Sequence, residues 1–89
     1  MKYIIFEDQS GMEWPVVFPE HVQHVDIANR FGYTSQFGYK LVSAGFCSVQ
    51  SSSEGGENKW FVYGRSVGLG IKPREEDGDV LGRRMNFRA

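Results

Sequence analysis

Apolar and polar residues alternate along the chain in short runs that predict two strand pairs, each followed by a helix. Residues 2–6 and 12–18 are rich in β-branched and aromatic side chains, and a polar stretch ending in Gly11 joins them. This arrangement is typical of a β-hairpin. Because Pro15 has no amide hydrogen to donate, the second strand is expected at a sheet edge or with a bulge.

The second strand pair is predicted over residues 41–49 and 60–64. Alternation in the first of these divides its side chains between two faces: Val42, Ala44, Phe46 and Ser48 on one, Leu41, Ser43, Gly45, Cys47 and Val49 on the other. Alternating apolar residues extend the last strand through 65–71. The polar, glycine-containing stretch 50–58 is predicted to be a mobile loop that the fold does not need.

Two helices are predicted from apolar positions at helical spacing. The first covers residues 24–31 and ends at a glycine, and the second covers 74–85, with acidic residues in its first turn and arginines near its end. Gly78 and Gly82 each weaken the second helix by about 1 kcal/mol relative to alanine. That helix therefore needs packing against the rest of the fold.

The element order β-β-α-β-β-α predicts the α+β fold class. We expect one small domain over residues 1–89, built on an antiparallel four-stranded sheet with two short helices. A chain of 89 residues, 40% of them hydrophobic, is long enough to bury one modest core without a metal ion or a disulfide.

Charge and cysteine content exclude several classes of protein. Ten basic and eleven acidic side chains give a net charge of −1, which disfavours a dedicated nucleic-acid-binding surface. The single cysteine, Cys47, cannot form an internal disulfide. No apolar run is long enough to span a membrane or to form the core of a signal peptide. We therefore expect a cytoplasmic protein without a membrane partner.

No group of residues indicates catalysis or a cofactor. His21, His24 and Cys47 are fewer than the four ligands of a structural zinc site. We expect surface histidines and a buried, unreactive thiol instead. The glycine-rich stretch 64–70 lacks the lysine and hydroxyl residue of a phosphate-binding loop and is followed by acidic residues, so a turn is expected there.

Thirteen aromatic residues are more than a small core encloses, so some are expected at the surface. Trp14, Phe18 and Tyr63 are predicted to lie in an interface, and a homodimer is the expected assembly. Since Pro15 interrupts the ladder, packing of sheet faces is favoured over one continuous sheet. The alternative is a single-stranded nucleic-acid-binding module with aromatic rings beside basic residues: Tyr33, Phe37, Tyr39, Trp60 and Tyr63 near Lys40, Lys59 and Arg65.

Three segments resemble small uncharacterised proteins encoded by bacteriophages and prophages: MKYIIFEDQSGMEWPVVFPEHVQH, LVSAGFCSV and VYGRSVGLGIKPREEDGDVLGRRM. The resemblance implies an accessory protein that works inside a bacterial host, and it supplies no site residues. It favours a non-enzymatic protein that binds a host protein and inhibits or modulates it.

Overall fold

The computed structural model of the protein describes residues 1–30, 39–51 and 58–85. Its elements follow the predicted order: β1 (Lys2–Glu7), β2 (Glu13–Phe18), α1 (His24–Arg30), β3 (Lys40–Gln50), β4 (Lys59–Tyr63) and α2 (Asp77–Met85). The predicted α+β fold class is confirmed. Of the predicted loop 50–58, residue 50 belongs to β3, and residues 52–57 lie outside the described part of the chain.

The four strands form one antiparallel sheet in the order β2-β1-β3-β4. β1 is therefore central, and its apolar run is buried from Tyr3 to Phe6 because both of its faces are covered. β2 is an edge strand, as the proline at position 15 predicts.

Apolar clusters lie on the two faces of the sheet, and each face carries one helix. The α2 side contains Tyr3, Ile5, Cys47, Val80 and Leu81. The α1 side contains Ile4, Phe6, Phe18, Ala28 and Ala44. Within the described residues no helix is long and apolar enough to cross a membrane.

A β-bulge in β3 corrects the predicted division of its side chains. Ile5 pairs with Ser43 and Phe6 with Leu41, so Val42 is an extra residue in the ladder. Val42 consequently packs on the α2 side, and Leu41 packs on the α1 side. The predicted faces of these two residues were therefore wrong.

The predicted extension of the last strand through residues 65–71 was also wrong, because β4 ends at Tyr63. Gly64 has a φ of 67°, a conformation that side chains disfavour, and a Cβ there would lie 2.8 Å from the Phe46 ring. The chain then forms a turn closed by pairing between Ser66 and Ile71. The turn expected from the glycines is confirmed.

α1 begins at His24 as predicted, whereas α2 begins three residues later than predicted. Residue 31, the predicted end of α1, lies outside the described residues. α2 begins at Asp77 rather than at Arg74, because the Asp77 N–H donates to the Arg74 carbonyl in a turn (3.1 Å) and a helical bond, from Val80 to the Glu76 carbonyl, follows it (3.0 Å). The Asp77 carboxylate accepts the Arg74 backbone N–H at 2.9 Å and so caps this turn.

Candidate functional site

One carboxylate organises the turn between β1 and β2. Asp8 Oδ1 accepts hydrogen bonds from the backbone N–H groups of Ser10 and Met12 at 2.9 and 3.0 Å, and from the Ser10 hydroxyl at 2.6 Å. Asp8 Oδ2 accepts the indole N–H of Trp14 at 2.9 Å. The hydrogen bonds from Ser10 and Trp14 lower the pKa of Asp8 to about 2, so this carboxylate is ionised at neutral pH.

Trp14 is held from the other side by α2. The Arg84 guanidinium lies 4.7 Å from the centroid of the Trp14 ring, in a cation–π contact. Arg84 also donates to the Glu13 backbone carbonyl at 3.2 Å and to the Met12 sulfur at 3.7 Å. The indole is thus fixed at two points, yet 44% of Trp14 is exposed.

Two concavities flank this fixed ring. A shallow apolar cavity of about 240 Å³ is lined by Phe6, Trp14, Val16 and Tyr39. A larger groove of about 560 Å³, with Arg84 in its lining, lies between the β1–β2 turn and α2 and carries charges of both signs. We refer to Trp14, Val16, Tyr39 and Arg84 as the Trp14 surface.

A polar network around the buried Asp77 carboxylate ties α2 to β1 and β2, and so places Arg84 beside Trp14. The Tyr3 hydroxyl donates to the fully buried Asp77 carboxylate at 2.6 Å, and Arg74 Nε donates to the same carboxylate at 2.8 Å. Arg74 also forms a two-point ion pair with Glu13, at 2.6 and 3.2 Å.

The contacts within this network shift the pKa values of Glu13 and Tyr3 in opposite directions. The hydrogen bond from Arg74 lowers the pKa of Glu13, and burial, reinforced by Asp77, raises the pKa of Tyr3. Tyr3 therefore stays a hydrogen-bond donor at neutral pH. Since the network's groups are paired with one another, we assign it a positioning role rather than a ligand-binding one.

The structure does not bring the three predicted interface residues together. Trp14 lies on β2, and Tyr63, which is 50% exposed, lies on β4 at the opposite edge of the same sheet face. Three strand spacings separate these edges, which is about 14 Å. Phe18 is only 6% exposed and packs edge-on against His24, with 5.3 Å between ring centroids, so it belongs to the core.

A second aromatic surface, which sequence reasoning located only in part, surrounds Tyr63. The Tyr63 ring stacks on Phe46 at 5.8 Å and an interplanar angle of 20°. Phe61 lies two residues before Tyr63 in β4, on the same face, and is 49% exposed. We call Phe46, Phe61 and Tyr63 the β4 aromatic surface. The alternation of Lys59, Phe61 and Tyr63 was the sequence signal for it.

Other aromatics proposed for base stacking have different positions. Trp60 lies on the opposite face, half-buried against the α2-side cluster. Tyr39 lines the apolar cavity beside Trp14. Residues 33 and 37 lie outside the described part of the chain.

His24 corrects the expectation of two surface histidines. Its ring is buried, donates from Nε2 to the Gly45 carbonyl at 2.8 Å and contacts Phe46 edge-on at 5.9 Å. Burial lowers the pKa of His24. Cys47 is buried as expected, which raises the pKa of its thiol to about 11. Within the described residues no three His, Cys, Asp or Glu side chains are grouped as a metal site.

Comparison with known proteins adds no functional assignment, since no family model, curated protein or solved structure matches the chain.

Proposed function

We propose that this protein is a non-enzymatic interaction module that binds a partner protein through the Trp14 surface. One observation carries the proposal: an exposed tryptophan is fixed by Asp8 and Arg84 beside an apolar cavity. Tryptophan, tyrosine and arginine are the residues most enriched among those that dominate binding energy in protein interfaces. The Trp14 surface contains one of each.

The fixed conformation of Trp14 supports this function energetically. A free tryptophan side chain loses conformational entropy when it is immobilised in an interface, at a cost of about 0.5–1.5 kcal/mol. Here the contacts with Asp8 and Arg84 have already restricted the ring before any partner arrives. A partner that inserts an apolar side chain into the neighbouring cavity would gain buried area without ordering this anchor.

The resemblance to bacteriophage and prophage proteins supports a bacterial host protein as the partner class. In this proposal, binding inhibits or modulates that host protein. The cavity volume of about 240 Å³ suits one or two apolar side chains of a protein rather than a metabolite.

A second copy of the chain is the other proposed occupant of the Trp14 surface. Pro15 lacks a donor on the outer edge of β2, and Arg84 already occupies the Glu13 carbonyl on this strand. Both features oppose extension of the sheet across β2 and favour packing through faces.

Light scattering of the wild type, Trp14→Ala and Phe61→Ala at tens of micromolar tests self-association. We expect a dimer mass for the wild type and Phe61→Ala, and a mass near the monomer's 10.1 kDa for Trp14→Ala. A wild-type mass near 10.1 kDa at all concentrations would exclude the homodimer.

A further inference from the structure

We propose that the β4 aromatic surface binds single-stranded nucleic acid, with successive bases stacked on Phe61 and Tyr63. This site is separate from the Trp14 surface, which lies at the opposite edge of the sheet. Nucleic-acid binding at this site can therefore be tested independently of protein binding at the Trp14 surface.

The spacing and rigidity of the two rings suit base stacking. Residues two apart in a strand are about 6.7 Å apart on one face, roughly twice the spacing of neighbouring nucleotides in a helical strand. Two successive bases, once unstacked from each other, can therefore each cover one ring. Phe46, the cross-strand neighbour of Tyr63, lies nearly parallel to the Tyr63 ring and restricts its motion before a base binds.

Polar side chains lie beside these rings. The ladder places Ser48 opposite Phe61 and Gln50 opposite Lys59, and all four side chains belong to the same face. Ser48 and Gln50 are exposed and can donate to and accept from the edge of a base. Lys59 belongs to the same face at the start of β4, two residues before Phe61, so its exposed side chain can meet a phosphate beside the stacked bases.

Basic side chains outnumber acidic ones in the stretch that contains β3 and β4, although Arg74, at its end, is paired with Glu13 and Asp77. Residues 39–74 carry five basic and two acidic side chains, whereas the remaining residues carry five basic and nine acidic ones. The two acidic ones, at positions 54 and 57, lie outside the described residues.

The cations near the β4 aromatic surface are available to a polyanion. Lys59 and Arg65 are exposed and form no ion pair within the described residues. The buried Lys2 ammonium lies 5.8 Å from the Phe46 ring centroid and adds positive charge beneath the surface. The acidic Glu20 approaches Met1 at 3.4 Å and is matched there by the terminal ammonium. A polyanion with flat aromatic bases complements this combination of charge and rings.

Fluorescence anisotropy with labelled oligothymidylate and oligouridylate of about 15 nucleotides tests the proposal directly. We expect the wild type to bind at low salt and to weaken as salt rises from about 20 to about 200 mM. Phe61→Ala should weaken binding by about fivefold to hundredfold, the effect of losing one stacked base. Lys59→Ala should reduce the salt slope by about 0.7, the value for one phosphate contact on a single strand.

Trp14→Ala is the matched control, since it removes an exposed ring from the same sheet face and should leave oligonucleotide binding unchanged. Phe61→Leu keeps apolar bulk without a π-face, so it should lose affinity even though its packing is preserved. Thermal melting checks that each variant is folded. No binding by the wild type at low salt, or equal binding by wild type and Phe61→Leu, would overturn the proposal. Loss of self-association in Phe61→Ala, without any oligonucleotide binding, would overturn it in favour of a protein occupant.

Discussion

His24 shows how one buried polar side chain links three elements. Its ring, at the start of α1, donates to the Gly45 carbonyl of β3 and packs edge-on against Phe18 and Phe46. We expect His24→Ala to lower the free energy of unfolding by about 3 kcal/mol, because it leaves a cavity and leaves the buried Gly45 carbonyl without its hydrogen-bond donor. His21→Ala, at an exposed position, should change it by less than about 0.5 kcal/mol. Urea unfolding measures both, and equal losses would contradict the burial of His24.

The pH dependence of stability separates the contribution of the His24 imidazole's titration from that of its packing volume. Burial, with Lys2 nearby, holds the pKa of His24 in the folded chain below its ordinary 6.5. The neutral ring therefore contributes stability that is fully present above about pH 6.5 and is lost as pH falls through the lowered value. Wild-type stability should decrease from about pH 7 to about pH 5, and His24→Gln, which keeps a donor, should lose most of this slope. If the dependence of unfolding free energy on pH is unchanged in His24→Gln, that dependence comes from other titratable groups.

Gly78, near the start of α2, packs too closely on β4 to accept a larger side chain. In sequence it is only a weak helix former, and alanine should stabilise α2 by about 1 kcal/mol. In the structure a Cβ at this position would lie 2.8 Å from the Trp60 carbonyl oxygen in β4. We expect Gly78→Ala to destabilise the protein by about 1–3 kcal/mol, because α2 must move off the sheet.

Gly68→Ala is the control for this substitution, since nothing lies within 4 Å of a Cβ there. Its thermal midpoint should match that of the wild type. A Gly78→Ala variant more stable than the wild type would show that α2 is not packed closely on β4.

The local pattern of apolar and polar residues was sufficient to predict which helices and strands form and in what order, but not where each of them begins and ends. Contiguous β-branched and aromatic residues predicted β1 and β2, and alternation predicted β3. It failed at Val42, where the extra residue is defined only by the pairing with β1. It failed again after Tyr63, because Gly64 turns the chain where it meets the Phe46 ring. Both errors come from contacts between distant segments, which no window along the sequence contains.

At the scale of the whole molecule, the candidate sites depend on long-range arrangement. The exposure of Trp14 and Tyr63 follows from the excess of aromatics over core volume, as the sequence indicates. The contact of Trp14 with Arg84 joins residues seventy positions apart, so composition and spacing cannot predict it. A net charge of −1 likewise does not show that residues 39–74 carry five basic and two acidic side chains.

Protein partnership through the Trp14 surface is the central claim, and quantitative affinity capture from a bacterial lysate tests it most directly. The baits are the wild type, Trp14→Ala and Phe61→Ala, each checked for folding by thermal melting. We expect at least one host protein to be enriched by the wild type and by Phe61→Ala but lost with Trp14→Ala, because only that substitution removes the fixed anchor. Identical sets of proteins on all three baits, or none above background on the wild type, would contradict the claim.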